Sequence, residues 1–226
     1  MSEARDIILG RICASLSENG KAGGDEARHE EVEKRLRGHP QGVVPHPADA
    51  KQAVVDRFID KAQAAGATVE KAKQGDVAKA VSAFLRDHNL PQQLRVGADE
   101  RLEQITWQSR GAPELLSGPS DGNDLSGLSH AFAGAGETGT LVLTSGPDNP
   151  TTINFLPENH IVVVDAQDIE FDYEAIWTRL RHKAGAGKMP RTVNLITGPS
   201  RSADIEQTLI MGAHGPVRLH IIVVTG

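Results

Sequence analysis

Hydroxyl and guanidinium groups follow a short apolar run near the C-terminus, in the segment Gly198-Pro-Ser-Arg-Ser. Ser200 and Arg201 can both hold an anion, Arg201 through its planar fork of N–H donors. The run 192–197 predicts a strand and residues 203–211 a helix, whose start would add free backbone N–H groups. Such a turn lies at the carboxyl edge of an open α/β sheet, where ligands bind. The pattern therefore indicates an anion site, although a serine that only caps the helix gives the same pattern.

Glu137 is an isolated acid within a long segment of small and apolar residues. A carboxylate in such surroundings can have a raised pKa and serve as acid, base or nucleophile. The alternative is structural: Glu137 lies at a strand start and caps backbone donors. Gly136 and Gly139 on either side allow the backbone to approach a ligand closely. Both interpretations stay open at this stage.

Two histidines can join these groups, His160 at the head of an apolar strand and His214 in a Gly-Ala-His-Gly-Pro loop. If the sheet order brings the loop ends together, both imidazoles line one cleft with Ser200 and Arg201. A lone histidine at a strand end is equally a structural hydrogen-bonding group. We expect no metal, because His160, His214 and Asp204 show no metal-ligand spacing. The expected catalytic residues are Glu137, His160 and His214, and the expected ligand-binding residues are Thr138, Thr140, Ser145, Ser200, Arg201 and Asp204.

Composition excludes several classes of function. The chain has 226 residues, a formal net charge of −6 and one cysteine, Cys13. An acidic chain is a poor nonspecific nucleic-acid binder, and one tyrosine with two tryptophans makes no stacking platform for single strands. One cysteine can form neither an internal disulfide nor a cysteine-ligated iron–sulfur cluster. The polar N-terminus and the lack of a long apolar run predict no signal peptide and no membrane span, and a cytoplasmic setting.

Strands alternating with helices predict parallel βαβ units in a three-layer α/β/α sandwich. We expect an N-terminal helical arm and connector over 1–44, whose apolar stripe docks on the main domain or on a partner, and an α/β domain over 45–226. A Gly/Pro/Ser/Asp-rich loop is expected over 113–127. The patterns predict helices over 3–18, 25–36, 48–65, 76–89, 99–104 and 171–182, and strands over 68–72, 94–97, 129–135, 138–145, 160–165, 192–197 and 219–225.

Five linked motifs over residues 45–226 together resemble one known family. The motifs are Glu137-Thr-Gly-Thr-Leu, Ser145-Gly-Pro, His160-Ile-Val-Val-Val, Gly198-Pro-Ser-Arg-Ser-Ala-Asp-Ile-Glu and Gly212-Ala-His-Gly-Pro. In this order they resemble the LutC/YkgG family of lactate utilization proteins, with its LUD domain. The resemblance implies a fold like that of the NagB/RpiA/CoA-transferase group. It also implies bacterial oxidation of L-lactate to pyruvate together with two iron–sulfur partners, LutA-like and LutB-like proteins, which would carry the clusters that this chain cannot hold.

Two other functions fit the same residues. The fold commonly hosts stand-alone acyl-transferases and sugar-phosphate isomerases, in which Glu137 would be the nucleophile or base. The chain could instead be a non-catalytic scaffold whose N-terminal stripe of Ile8, Ile12 and Leu16 holds a partner.

Overall fold

The computed structural model describes residues 2–19, 25–40, 42, 50–107, 111–185, 187–205 and 208–226. The chain divides into two compact units, Met1–Val43 and Val44–Gly226. The first unit contains helices α1 (Ser2–Asn19) and α2 (Asp25–Gly38), as the sequence predicts. No helix in the described part of the chain is long and apolar enough to cross a membrane.

The second unit contains the α/β fold. Its helices are α3 (Lys51–Ala64), α4 (Val77–Asp87), α5 (Glu100–Glu103), α6 (Thr151–Phe155) and α7 (Tyr173–Ala184). Its strands are β1 (Thr68–Ala72), β2 (Gln93–Val96), β3 (Glu114–Ser117), β4 (Ser126–His130), β5 (Ala133–Ala135), β6 (Thr140–Thr144), β7 (Asn159–Asp165), β8 (Ile169–Glu170), β9 (Val193–Ile196), β10 (Arg201–Ile205), β11 (Thr208–Met211) and β12 (Arg218–Val224).

A six-stranded sheet in the order β1-β12-β7-β4-β2-β3 forms the centre of this unit. Every pairing in it is parallel, which confirms the βαβ units expected from the sequence. Its central strands β7 and β12 carry buried apolar side chains on both faces because helices cover both faces. On β7, Val162 and Val164 pack with Phe58 of α3, while Ile161 and Val163 pack with Leu85 of α4. The α/β class is therefore confirmed.

A smaller sheet, in the order β8-β5-β6-β9, was not foreseen as a separate sheet. The chain enters it directly after β4, so residues 129–135 belong to two sheets rather than to one strand. Helix α7 covers this sheet, with Ile176 and Leu180 packed against Ala133 and Val142. The turn between β5 and β6 lies against α3, where a Cβ on Gly139 would be 2.2 Å from the backbone nitrogen of Ala62.

The helix expected over 203–211 is wrong. Strands β10 and β11 pair antiparallel, with Arg201 opposite Met211 and Ser202 opposite Ile210. A helix of nine residues is marginal in isolation, and β-branched residues such as Ile205 and Thr208 favour the extended backbone. The helix start whose free N–H groups were expected to face Ser200 is therefore replaced by a strand. The loop expected over 113–127 is also wrong in part, because it contains β3 and the start of β4.

Candidate functional site

A cavity of about 220 Å³ lies beside the Gly198-Pro-Ser segment, and we call it the Ser200 cleft. It opens where the carboxyl end of β9 meets the loops that precede β7 and β12. It therefore lies near the amino ends of the central strands. The sequence had predicted a site at their carboxyl edge. The residues that matter for its chemistry are Asn154, Phe155, Thr197, Ser200, His214 and Gly215.

Backbone hydrogen bonds hold the two loops of the cleft together. The Ser200 N–H donates to the carbonyl of Pro216 at 2.9 Å, and the Gly212 N–H donates to the carbonyl of Ser200 at 2.9 Å. The Ser200 hydroxyl accepts from the His214 N–H at 3.3 Å. Ser200 and His214, which the sequence placed in one site, therefore lie in one cavity. The hydroxyl fixes the loop that carries the imidazole.

Behind the cleft runs a buried chain of three polar side chains. The amide of Asn154, with no exposed surface, lines the cleft, and its Oδ1 accepts from the Ser129 hydroxyl at 3.3 Å. That hydroxyl lies 3.0 Å from Nε2 of His160. Burial lowers the pKa of His160 to about 3, so its ring is neutral at physiological pH. His160 thus lies outside the cleft but is connected to it through two hydrogen bonds.

The Thr138 and Thr140 hydroxyls form a cluster with Tyr173. Thr138 Oγ1 lies 2.7 Å from Thr140 Oγ1 and 2.9 Å from the Tyr173 hydroxyl, and Thr140 lies 2.8 Å from that hydroxyl. Thr140 Oγ1 is also 2.6 Å from Oγ1 of Thr197, which lines the Ser200 cleft. The two threonines are therefore joined to the cleft through Thr197.

Glu137 lies at the start of α7, half-buried. Its Oε1 accepts a hydrogen bond from the Tyr173 N–H at 3.2 Å. Beside it, Asp172 accepts from the Ala175 N–H at 2.8 Å, so two carboxylates satisfy free donors of the same helix end. This contact supports the structural interpretation of Glu137, and its catalytic role stays a prediction.

Ser145 and Arg201 make structural contacts away from the cleft lining. The Ser145 hydroxyl accepts from the Thr192 N–H at 2.9 Å, where β6 ends and β9 begins. The guanidinium of Arg201 donates to the carbonyl of Ala65 at 2.6 Å, directly after α3. The side chain of Asp204 lies outside the described residues. The ligand-binding roles of these three residues stay predictions.

Comparison with known proteins identifies the family. A family model described as the LUD domain matches residues 48–224. The chain belongs to the LUD domain family. The protein YkgG of Escherichia coli is 30% identical over 74% of this chain and 71% of its own length. Lactate utilization protein C of Halalkalibacterium halodurans is 36% identical over 54% of this chain and 53% of its own. The chain therefore spans about half the length of this second relative.

A solved structure shares the fold. A DUF162 family protein from Deinococcus radiodurans superposes with a TM-score of 0.56 at 21% identity, covering 79% of this chain and 100% of that chain. Among the described residues of this LUD domain, no group of three or more His, Cys, Asp or Glu side chains is placed to hold a metal ion.

The sequence analysis missed a charged cluster at the carboxyl edge of the central sheet. Arg101 binds Asp99 at 2.6 Å and donates to the carbonyl of Ala131 at 3.2 Å. The buried His130 has its Nε2 3.5 Å from Oδ2 of Asp165. Burial and the Arg101 charge lower the pKa of His130, although the neighbouring carboxylates oppose this. Asp99 follows and Asp165 ends a strand that the sequence predicts, which was a signal for this cluster. His130 ends β4, a position hidden by the strand expected over 129–135.

This cluster lies where β4 and β2 are neighbours and their connections leave in opposite directions, the usual ligand position in open α/β sheets. Arg179 extends it, lying 2.6 Å from Asp168 and 3.6 Å from Glu170. The described part of the cluster holds four carboxylates against two guanidinium groups, and His130 adds little charge at neutral pH. This excess of negative charge makes it a poor site for an anion.

A third group, also missed, lies at the edge of the central sheet. Thr68 Oγ1 is 2.8 Å from Nδ1 of His220, whose Nε2 is 3.1 Å from Oε1 of Glu70. Hydroxyl, imidazole and carboxylate stand in the order used for nucleophilic catalysis. Phe84 stacks on the imidazole at 4.5 Å between ring centroids and covers it. The parallel register pairs Thr68 with His220, so only the strand pairing reveals this group.

Proposed function

We propose that this LUD domain is a component of a bacterial assembly that oxidises L-lactate to pyruvate, and that the Ser200 cleft binds the small carboxylate. Two lactate utilization proteins C, those of Halalkalibacterium halodurans and Anoxybacillus flavithermus, are both 36% identical to it over the matched segments. The observation that carries the proposal is the lining of the cleft, which is chemically suited to an anion.

None of the residues that line the cleft is acidic, and all of them belong to the described part of the chain. The polar residues that line it are Asn154, Thr197, Ser200 and His214. Neutral donors without a nearby carboxylate stabilise a bound anion. The volume of about 220 Å³ is below the ~300–1,000 Å³ of pockets for drug-sized ligands, which favours a small acid.

Oxidation of lactate to pyruvate removes two electrons and two protons. His214, exposed at the cleft, supplies an imidazole that can accept the hydroxyl proton. The electrons require an acceptor, and the single Cys13 cannot ligate a cluster. We assign the iron–sulfur clusters to LutA-like and LutB-like partners in the cytoplasm. The contribution of this chain is binding, orientation and proton transfer.

The test is growth on L-lactate of a deletion strain that has no other lactate dehydrogenase. Complementation with the native gene should restore growth, and tagged native protein should bring down iron and lactate-dependent dye reduction. Gly215→Leu fills the cleft opposite Ser200, since even a Cβ at Gly215 would lie 3.3 Å from the Cβ of Ser200. We expect this variant not to restore growth on L-lactate.

The matched control is Ser117→Ala, at an exposed serine of β3 away from the cleft, which should complement fully. Unimpaired growth of the deletion strain on L-lactate contradicts the lactate function. If the deletion strain grows poorly but Gly215→Leu complements it fully, the Ser200 cleft does not bind the acid. Membership of the lactate-oxidising assembly would still be supported.

A further inference from the structure

The chain Asn154–Ser129–His160 has two buried polar atoms without a hydrogen-bond partner among the described residues, Nδ2 of Asn154 and Nδ1 of His160. Buried polar groups in proteins are paired in the great majority of cases, so each unpaired one needs an explanation. An unpaired amide at the wall of a cavity has a simple explanation: a bound ligand completes it. Asn154 lines the Ser200 cleft and is fully buried.

The Ser129 hydroxyl has a single proton, and this fixes the direction of the whole chain. If Ser129 donates to Oδ1 of Asn154, His160 must donate from Nε2, and its Nδ1 is then a bare lone pair. If Ser129 instead donates to Nε2 of His160, the proton of the ring is on Nδ1, and a buried N–H is left unpaired. The amide of Asn154 must then turn its nitrogen toward Ser129.

The structure has the first arrangement, with Oδ1 of Asn154 facing the Ser129 hydroxyl and Nδ2 left without a partner among the described residues. The lowered pKa of His160 keeps its ring neutral with one proton, as both arrangements require. In this arrangement Nδ2 of Asn154 is an unpaired donor on a residue that lines the cleft. A ligand that pairs with it must offer an oxygen acceptor.

We infer that Asn154 binds the ligand of the Ser200 cleft by donating from Nδ2 to a carboxylate or 2-oxo oxygen, and that Ser129 and His160 lock its amide in this orientation. The inference rests on the proposed function for the identity of the cleft as a small-acid site. It adds the residue that orients the acid and two positioning residues behind it. The sequence analysis names His160 as an expected catalytic residue and assigns no role to Asn154 or Ser129.

The first experiment uses ¹⁵N-labelled full-length protein and needs no activity. The imidazole signals of His160, assigned by comparison with His160→Gln, should show a protonated Nε2 and a bare Nδ1. A proton on Nδ1 overturns the inference, because the amide of Asn154 would then present its oxygen.

The second experiment titrates the same protein with pyruvate and with L-lactate. The side-chain NH₂ signals of Asn154 should shift on binding, and Asn154→Ala should weaken binding about 10- to 100-fold, the usual range for a hydrogen bond to a charged group. Asn194→Ala is the matched control. Asn194 is also buried and has an unpaired Nδ2 among the described residues, but it does not line the cleft.

We expect Asn194→Ala to bind within about twofold of the native protein, since it removes no group from the cleft. Equal weakening by both variants, or no weakening by Asn154→Ala, overturns the inference, as does the absence of binding of either acid to the native chain. The lactate assembly itself is judged separately, by the growth of the deletion strain, so the two failures are distinguishable.

Discussion

Arg201 donates a hydrogen bond from its guanidinium to the carbonyl oxygen of Ala65, 2.6 Å away. This contact ties the start of β10 to Ala65, the C-cap residue directly after α3. The geometry is that of a helix C-terminal carbonyl satisfied by a cation. The position of Arg201 beside Ser200 in the sequence therefore does not bring its charge into the cleft lining.

We expect Arg201→Ala to act on stability and leave the affinity for pyruvate unchanged. Loss of one exposed hydrogen bond to a carbonyl should lower the free energy of unfolding by about 1 kcal/mol, because solvent replaces part of the interaction. Urea unfolding measures the first effect and calorimetric titration the second. Weaker pyruvate binding with unchanged stability would restore the anion-binding role that the sequence suggested.

Gly139 is the position where we expect the largest effect of a single methyl group. Its φ is +69°, and a Cβ there would lie 2.2 Å from the backbone nitrogen of Ala62, so α3 and the second sheet would have to separate. Gly139→Ala should lower the free energy of unfolding by more than about 3 kcal/mol or prevent folding, since backbone clash adds to the cost of the positive φ.

Gly187 provides the control for Gly139, because its φ is also +69° and nothing lies within 4 Å of its Cβ position. Gly187→Ala should cost only about 1 kcal/mol, the usual penalty of a left-handed backbone for an L residue. Both variants are compared by urea unfolding. A similar loss in the two would show that the close approach to Ala62 adds nothing.

The outline of the fold could be predicted from sequence because its signals are local. The apolar run of β7 and the amphipathic pattern of α4 are visible within a few residues. The pairing of β10 with β11 could not be predicted, because Ile205, Leu209 and Ile210 fit a helix face as well as a short strand pair. Strand pairing decided between them, and pairing is a tertiary property.

The candidate site was predictable only in part, for the same reason. Ser200 and His214 were found because they sit in Gly/Pro turns, where the backbone signals a loop. Asn154 was missed because nothing in Thr-Thr-Ile-Asn-Phe marks its amide as unpaired. That fact requires the positions of Ser129 and His160, 25 and 6 residues away in sequence. The Thr68–His220 pair is 152 residues apart and needs the sheet register.

Glu70 should control the titration of His220. Burial lowers the pKa of His220, and the hydrogen bond and negative charge of Glu70 raise it in part. Glu70→Gln keeps the shape of the side chain but removes the charge, so the pKa of His220 should fall further. NMR titration of the His220 ring gives both values. A higher pKa in the variant would show that Glu70 does not face the imidazole in solution.

His160 should make the protein less stable as the pH falls toward 3. The ring titrates near 6.5 in the unfolded chain, and burial lowers its pKa to about 3 in the folded one. Between these pH values the unfolded state binds more protons than the folded state. The free energy of unfolding is therefore highest above about pH 6.5 and falls as the pH is lowered through this window. The slope from this one group approaches about 1.4 kcal/mol per pH unit.

We expect His160→Gln to reduce the slope of unfolding free energy against pH by nearly one proton between about pH 4 and 6, because glutamine does not titrate. His130 and His220, whose pKa values burial also lowers, remain in both proteins and therefore cancel in the comparison. Urea unfolding at half-unit pH steps measures the two slopes. Parallel lines for the native protein and the variant would mean that the folded and unfolded states protonate His160 in the same pH range. The neutral chain from His160 through Ser129 to Asn154 would then be wrong.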